Sequence, residues 1–353
     1  MRNIVEIAAV NVHTHLRDFD EAYKEDLDSG TRAAVAGGFT TVLDMPNTKP
    51  PITDSDRLSE RLALAERRVH CYYGAYLVGV AGNAAQAAQA APNACGLKIY
   101  LDNTHGALFV RRLDLLVAHF RTWPRGKPIV VHAEDTSLPL AIGLAASYRQ
   151  HLHVAHVTQA SEIELIRAAK RQGGLRITCE VTPHHLFLTE DDAQRLGPLG
   201  YMKPELKPAS DVEALWANLD VIDCIADDHA PHTLAEKQGD DPPPGVPGLE
   251  TTLPLMLHAV AEGRLSMDKL VEMVDSNPRR IFALDRPPET YAVIDLDHHY
   301  AISPDGLQTK VGWTPFEGHD DVGAVRRVVV RGQTVYKDGQ FVGGERSPRL
   351  ILA

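Results

Sequence analysis

The chain has 353 residues, 44% of them hydrophobic and 24% charged, a composition typical of globular domains rather than disordered or membrane-embedded ones. Its net charge of −11 argues against a nucleic-acid or anionic-membrane partner, so an anionic substrate would have to be met by local metal ions or arginines. No N-terminal stretch has the order of a signal peptide, no apolar run approaches the ~18 residues that span a bilayer, and the four scattered cysteines suit a reducing, cytoplasmic compartment.

A first strand ends at Val12, and further strands are predicted at Thr40–Asp44, Cys71–Val78, Gly96–Leu101, Pro128–His132, Leu152–His156, Ile177–Val181 and Val221–Ala226. Helical patterns fill the gaps at Glu25–Ala36, Ser55–Arg68, Leu113–Phe120, Ser161–Gln172 and Val212–Leu219, with Ser161 and Glu164 as a capping box. Strands separated by helices imply parallel βα units. An open dinucleotide-binding sheet would carry a glycine-rich loop after its first strand, where this chain has His13-Thr14-His15. The expected fold is therefore α/β, a TIM-type (β/α)8 barrel over residues 1–285. After a helix near Met267–Leu284, the β-branched runs Tyr291–Leu296 and Val325–Tyr336 predict a small β-rich tail, residues 286–353, packing with the N-terminus.

Barrel enzymes build their sites at the C-terminal ends of strands. There the chain places His13 and His15, Lys98, His132, His156 and Asp228. Residues two apart on a strand share a face, so His13 and His15 can serve one metal. A His-x-His pair is weak by itself in a chain with 17 histidines. Imidazoles and a carboxylate at successive strand ends are together the ligand chemistry of a divalent metal site. Lys98 stands out among them, because burying an ammonium is costly and depresses its pKa. Either its head reaches solvent, or a neutral amine takes up CO2 to become a metal-bridging carbamate.

The motifs His13-Thr14-His15-Leu16-Arg17, Met45-Pro46-Asn47-Thr48, Gly96-Leu97-Lys98-Ile99-Tyr100, Glu180-Val181-Thr182-Pro183-His184-His185, Asp228-His229-Ala230-Pro231-His232 and Pro242-Pro243-Pro244-Gly245 resemble those of dihydroorotases. The similarity is strongest to the dihydroorotase domains of animal multifunctional pyrimidine-synthesis enzymes and covers nearly the whole chain. It implies zinc-dependent cyclisation of carbamoyl aspartate to dihydroorotate. His13, His15, a carboxylated Lys98 and Asp228 would hold one zinc, and Lys98, His132 and His156 the other, with a hydroxide nucleophile between them. Asp228 would be the general acid and base. Glu180 matches a ligand of a third zinc, although Ala155 replaces a cysteine that belongs to that site.

For the substrate, the resemblance implies that Arg17, Asn47 and His232 grip the free carboxylate. Pro244 and Gly245 would offer backbone groups to the ring amide. Lys203 replaces an arginine at this site, keeping the charge without the planar fork. Thr104 and His105 fall in a loop matching one that closes over the site, with His105 in place of a phenylalanine. A homodimer and an association with aspartate carbamoyltransferase are also implied. Dihydropyrimidinases and allantoinases share the metal scaffold but not a grip on an α-carboxylate. A catalytically dead scaffold is the contrasting class, and such proteins lose metal ligands that this chain retains.

Overall fold

The computed structural model describes residues 3–104 and 108–342. In chain order its strands are β1 (Ile4–Ile7), β2 (Ala9–Thr14), β3 (Phe39–Asp44), β4 (Tyr72–Ala75), β5 (Leu77–Val78), β6 (Leu97–Tyr100), β7 (Ile129–His132), β8 (His151–Val154), β9 (Arg176–Val181), β10 (Cys224–Ile225), β11 (Tyr291–Ala301), β12 (Asp320–Val330), β13 (Gln333–Lys337) and β14 (Gln340–Phe341).

Parallel pairing links β2-β3-β4 in one arc and β5 through β10 in another. The stretch predicted as one strand over 71–78 is broken at Tyr76 and changes arc there. Ala75 and the residues before it pair with β3, whereas Leu77 N–H donates to Gly96 O at 3.1 Å. Tyr76 lies wholly inside the barrel, its hydroxyl donating to Val12 O at 2.8 Å. The ring closes where Thr14 bridges His229 and His15 N–H donates to His229 O at 2.7 Å. The result is the eight-stave α/β barrel, with β2, β3, β6, β7 and β8 buried at every residue. That burial on both faces is why these strands read as continuous apolar runs instead of alternating ones.

The predicted helices form, with shifted ends. The first runs Leu27–Ala36, because Asp26 caps it by accepting from Ser29 N–H at 2.9 Å. The helix expected from Ser161 runs Ala160–Arg171, and Glu162, not Glu164, closes its box with Gln159, accepting from Gln159 N–H at 3.1 Å. Helices at Ala84–Ala90, Ser137–Tyr148 and Thr252–Ala261 were not predicted, nor were the short ones at Pro183–Phe187, Glu190–Leu196 and Leu234–Lys237. The helix near Met267–Leu284 contains a wide π turn, Glu272–Ser276, just before Pro278, whose ring nitrogen cannot donate to the preceding turn.

In the second sheet β1 runs antiparallel to β11, followed by β12, β13 and β14. The run Val325–Tyr336 folds back on itself at Arg331-Gly332, both at positive φ. The chain between β11 and β12 returns to the barrel mouth, where Trp313 Nε1 donates to His232 O at 2.8 Å. No helix among the described residues is long and apolar enough to cross a membrane.

One buried network ties strand β3 to the first loop at the mouth. Asp44 Oδ1 accepts from Leu16 N–H at 2.9 Å, and Oδ2 accepts from Arg61 Nη2 at 2.6 Å and the Tyr73 hydroxyl at 2.7 Å. Asp44, Arg61 and Tyr73 are all fully buried. Removing one partner of such a pair strands the other charge in the core, so Arg61→Ala is expected to destabilise the protein by about 3–5 kcal/mol. The shift in the urea unfolding midpoint measures this.

Candidate active site

The C-terminal strand ends open into a cleft of about 220 Å³. Its lining includes His13, His15, Lys98, His132, His156 and Asp228, and also Arg17, Asn47, Thr104, Lys203, His232, Pro244 and Gly245. Glu180 lies beneath it, fully buried. His105 falls outside the described residues.

A neutral imidazole has one N–H, and the acceptor that takes it decides which nitrogen keeps its lone pair. His13 Nδ1 is hydrogen-bonded to Glu180 Oε1. His15 Nδ1 lies 2.6 Å from Asn47 Oδ1, and His132 Nε2 lies 2.9 Å from Glu134 Oε1. These three partners are acceptors, so each claims an N–H on the outer side and turns the other nitrogen inward as a lone pair.

Inside, the His13 and His15 lone pairs face a carboxylate oxygen, and the His132 lone pair faces His156 Nε2. Asp228 Oδ1 lies 3.2 Å from His13 Nε2 and 2.9 Å from His15 Nε2, while His132 Nδ1 lies 2.9 Å from His156 Nε2. Two nitrogens on one tetrahedral zinc, each at about 2.0–2.1 Å, stand about 3.3–3.4 Å apart, close to these separations. His13, His15 and Asp228 offer ligand atoms that all lie within 4.8 Å of one another. The fully buried Lys98 Nζ and the His156 Nδ1 have no hydrogen-bond partner among the described residues. Acceptors of His13, His15 and Asp228 converging with no donor between them, beside an unpartnered buried amine, fit a bound cation.

Burial lowers the Lys98 ammonium to about 8, although the Glu180 and Asp228 carboxylates pull the other way. It also drives the imidazoles of His13 and His156 below their ordinary range, which favours the neutral, ligating form. Burial would raise Asp228, and the charged forms of His13, His15 and His156 pull it the other way; with those rings neutral, a bound cation would do the same.

Backbone strain concentrates at the same place. Asp228 at φ 46°, His156 at φ 35° and the run Arg17-Asp18-Phe19 at φ 48°, 68° and 48° are all left-handed non-glycine residues. Asp18 supports the run by accepting from Phe19 N–H at 2.8 Å and Leu27 N–H at 3.1 Å.

On the other wall, Arg17 Nη2 donates to His232 Nε2 at 3.1 Å, and Nε donates to Pro231 O at 3.3 Å. Asn47 has its carbonyl committed to His15, leaving the NH2 as its donor end. Arg17, Asn47 and His232 thus meet on one side of the cleft. Lys203 reaches it too, with its ammonium on Glu205 at 2.6 Å. Gly245 lines the cleft with Pro244, and its N–H donates to Tyr201 O at 3.0 Å. Its carbonyl oxygen accepts from the buried Lys237 ammonium at 3.1 Å.

Sequence reading missed Glu134, whose role depends on a carboxylate two residues beyond a strand-end histidine. It also missed His153, which lies 3.0 Å from Glu180 Oε2 and belongs to a strand interior.

Residues 4–111 match the amidohydrolase family. The chain is 47% identical over 335 residues to the multifunctional protein CAD of Squalus acanthias, covering 94% of itself but only 15% of that protein. It is 35% identical over 362 residues to the dihydroorotase of Pyrococcus furiosus, covering 97% of itself and 84% of that enzyme. Among solved structures, it resembles the L-hydantoinase of Arthrobacter aurescens with a TM-score of 0.90 and 27% identity, over 97% of this chain and 87% of that one. It resembles the inactive dihydroorotase-like domain of the Chaetomium thermophilum CAD-like protein with a TM-score of 0.84 and 28% identity, over 98% of each chain.

Glu180→Gln weakens the acceptor that orients His13. Metal affinity, read by chelator competition, is expected to fall about 10–100-fold with the number of ions per chain unchanged. A loss of one ion with the others held as tightly as before would make Glu180 a ligand instead.

Proposed function

Since the chain belongs to the dihydroorotase family of the amidohydrolases, we propose that it interconverts N-carbamoyl-L-aspartate and L-dihydroorotate in de novo pyrimidine biosynthesis. The observation that carries this reading is the inward convergence of ligand atoms from His13, His15, His132, His156 and Asp228 in one cleft with an unpartnered Lys98.

The ions proposed are zinc. His13, His15, Asp228 and Lys98 would hold one and His132, His156 and Lys98 the other, with Lys98 carboxylated by CO2. Both oxygens of Glu180 contact imidazoles, those of His13 and His153, and Ala155 supplies no thiolate. Two ions therefore suit this chain better than three. Bound zinc supplies an activated water and polarises the amide carbonyl.

The protein's own groups bind, orient and move protons. Arg17 presents a planar fork to the α-carboxylate, beside Asn47 and His232. Lys203 adds charge at the rim, shared with Glu205, and Thr104 lines the cleft on the side of the matching mobile loop. Pro244 and Gly245 line the cleft and would offer backbone groups to the ring amide. Asp228 takes the proton of the attacking water and delivers it to the leaving ring nitrogen, and in ring closure it removes the proton from the ureido nitrogen. Cyclisation takes up one proton and releases water, so acid favours the ring.

Similarity to the animal domain supports a homodimer and an association with aspartate carbamoyltransferase. Four buried free cysteines suit a cytoplasmic location. The contrasting reading is an inactive scaffold, which the resemblance to the Chaetomium domain keeps in play.

Assays of zinc-supplemented protein in both directions, with metal content measured alongside, test the proposal. Turnover with about two zincs per chain is expected. Bound zinc without turnover of dihydroorotate would shift the substrate to another cyclic amide, such as dihydrouracil or allantoin. Absence of both would leave the scaffold. Asp228→Asn is expected to keep most of its zinc while losing about 100-fold or more in turnover, and wild-type-like turnover would remove Asp228 from the proton transfer.

A further inference from the structure

Lys237 is fully buried, a rare placement for a lysine. Its ammonium donates to three backbone carbonyls, Tyr201 O at 2.8 Å, Pro243 O at 3.0 Å and Gly245 O at 3.1 Å. The rings of Tyr201 and Trp313 flank it, with centroids at 5.8 and 5.7 Å. No carboxylate is among its hydrogen-bond partners. Three N–H donors meet three acceptors, so the protonated amine is satisfied without a counter-ion.

Those carbonyls belong to two segments that are remote in sequence. Tyr201 stands two residues before Lys203, and Pro243 and Gly245 bracket Pro244, so each segment places residues in the cleft wall. Tyr201 O also accepts from Gly245 N–H at 3.0 Å, doubling the link. Gly245 sits at φ 135°, where a Cβ would come within 2.6 Å of Ala230 O, so its segment is pressed directly against the chain leading from Asp228 to His232. Burial also lowers the Lys237 ammonium to about 8, so this clamp is costly to keep charged. Nothing in the metal centre requires it.

We propose that Lys237 is a positioning residue that clamps the Tyr201–Lys203 and Pro243–Gly245 segments together and so sets the width of the substrate-binding wall. The substrate named in the test rests on the dihydroorotase reading, but the clamp does not. A fixed wall beside His232, the partner of Arg17, holds a small ring in register with Asp228. A loosened one binds it poorly while leaving the strand-borne metal ligands in place.

Lys237→Met removes all three donors and Lys237→Gln keeps two N–H bonds. With zinc content equal to wild type, KM for dihydroorotate is expected to rise about tenfold or more in Lys237→Met and by less in Lys237→Gln, with kcat changed much less than KM. Hydrogen–deuterium exchange at 199–205 and 242–248 is expected to quicken in both variants relative to the barrel strands. The exchange measurement needs no turnover, so it tests the clamp even if wild-type protein proves inactive on dihydroorotate, an outcome that would sink the functional reading alone. If Lys237→Met does not fold, Lys237→Gln carries the comparison. Unchanged exchange in those segments, or lowered thermal stability with KM intact, would overturn the proposal and leave Lys237 a core residue.

Discussion

The single N–H of each neutral imidazole is the constraint on which the site depends. Glu180, Asn47 and Glu134 each take that proton from outside the cleft, so His13, His15 and His132 have only lone pairs to turn inward. Without the outer acceptors the rings would be free to turn or change tautomer, and the inner contacts would become ordinary hydrogen bonds. With them, the inner contacts are short of donors, and cations are the partners that satisfy every group at once. Ligand geometry here is thus set from the second layer inward.

A layer further out does the same for the backbone. Asp44 and Arg61 spend a buried ion pair on fixing Leu16 N–H, one residue before the left-handed run Arg17-Asp18-Phe19. That run sets Arg17 against His232. The loops carrying His232 and Gly245 are held by other means: Lys237 gathers carbonyls, and Trp313 reaches in from the chain between β11 and β12. Strands position the groups suited to metal, while loops stitched by buried side chains position those suited to substrate. The two halves of the site can therefore be perturbed separately.

Much of this was legible in the sequence. Parallel strands buried on both faces announce themselves as apolar runs, and a polar residue closing such a run must lie at the barrel mouth. His13, His15, Lys98, His132, His156 and Asp228 were found by that logic alone. The break at Tyr76 was invisible, since a strand that changes arc keeps its apolar pattern. Helix Ser137–Tyr148 was hidden by Pro139, which is tolerated in a first turn yet looks like a breaker. The second layer was illegible for a different reason. Nothing local distinguishes Glu134, His153 or Lys237 from any other polar residue, because their roles come from atoms supplied by distant segments. Glu180 was noticed through resemblance to a metal ligand, while its contacts with His13 and His153 became visible only in the fold.

The pairing of β1 with β11 has a consequence in time. Residues 4–7 find their partners only in 292–295, so the first strand cannot reach its place until most of the chain exists. At about 5–20 residues per second, a ribosome would take roughly 15–60 s to deliver that partner. During this interval β1 presents an unpaired edge, and β2, which must meet the segment around His229, waits almost as long. Closure of this barrel thus waits until both segments have been made, and until then β1 and β2 each lack an edge partner.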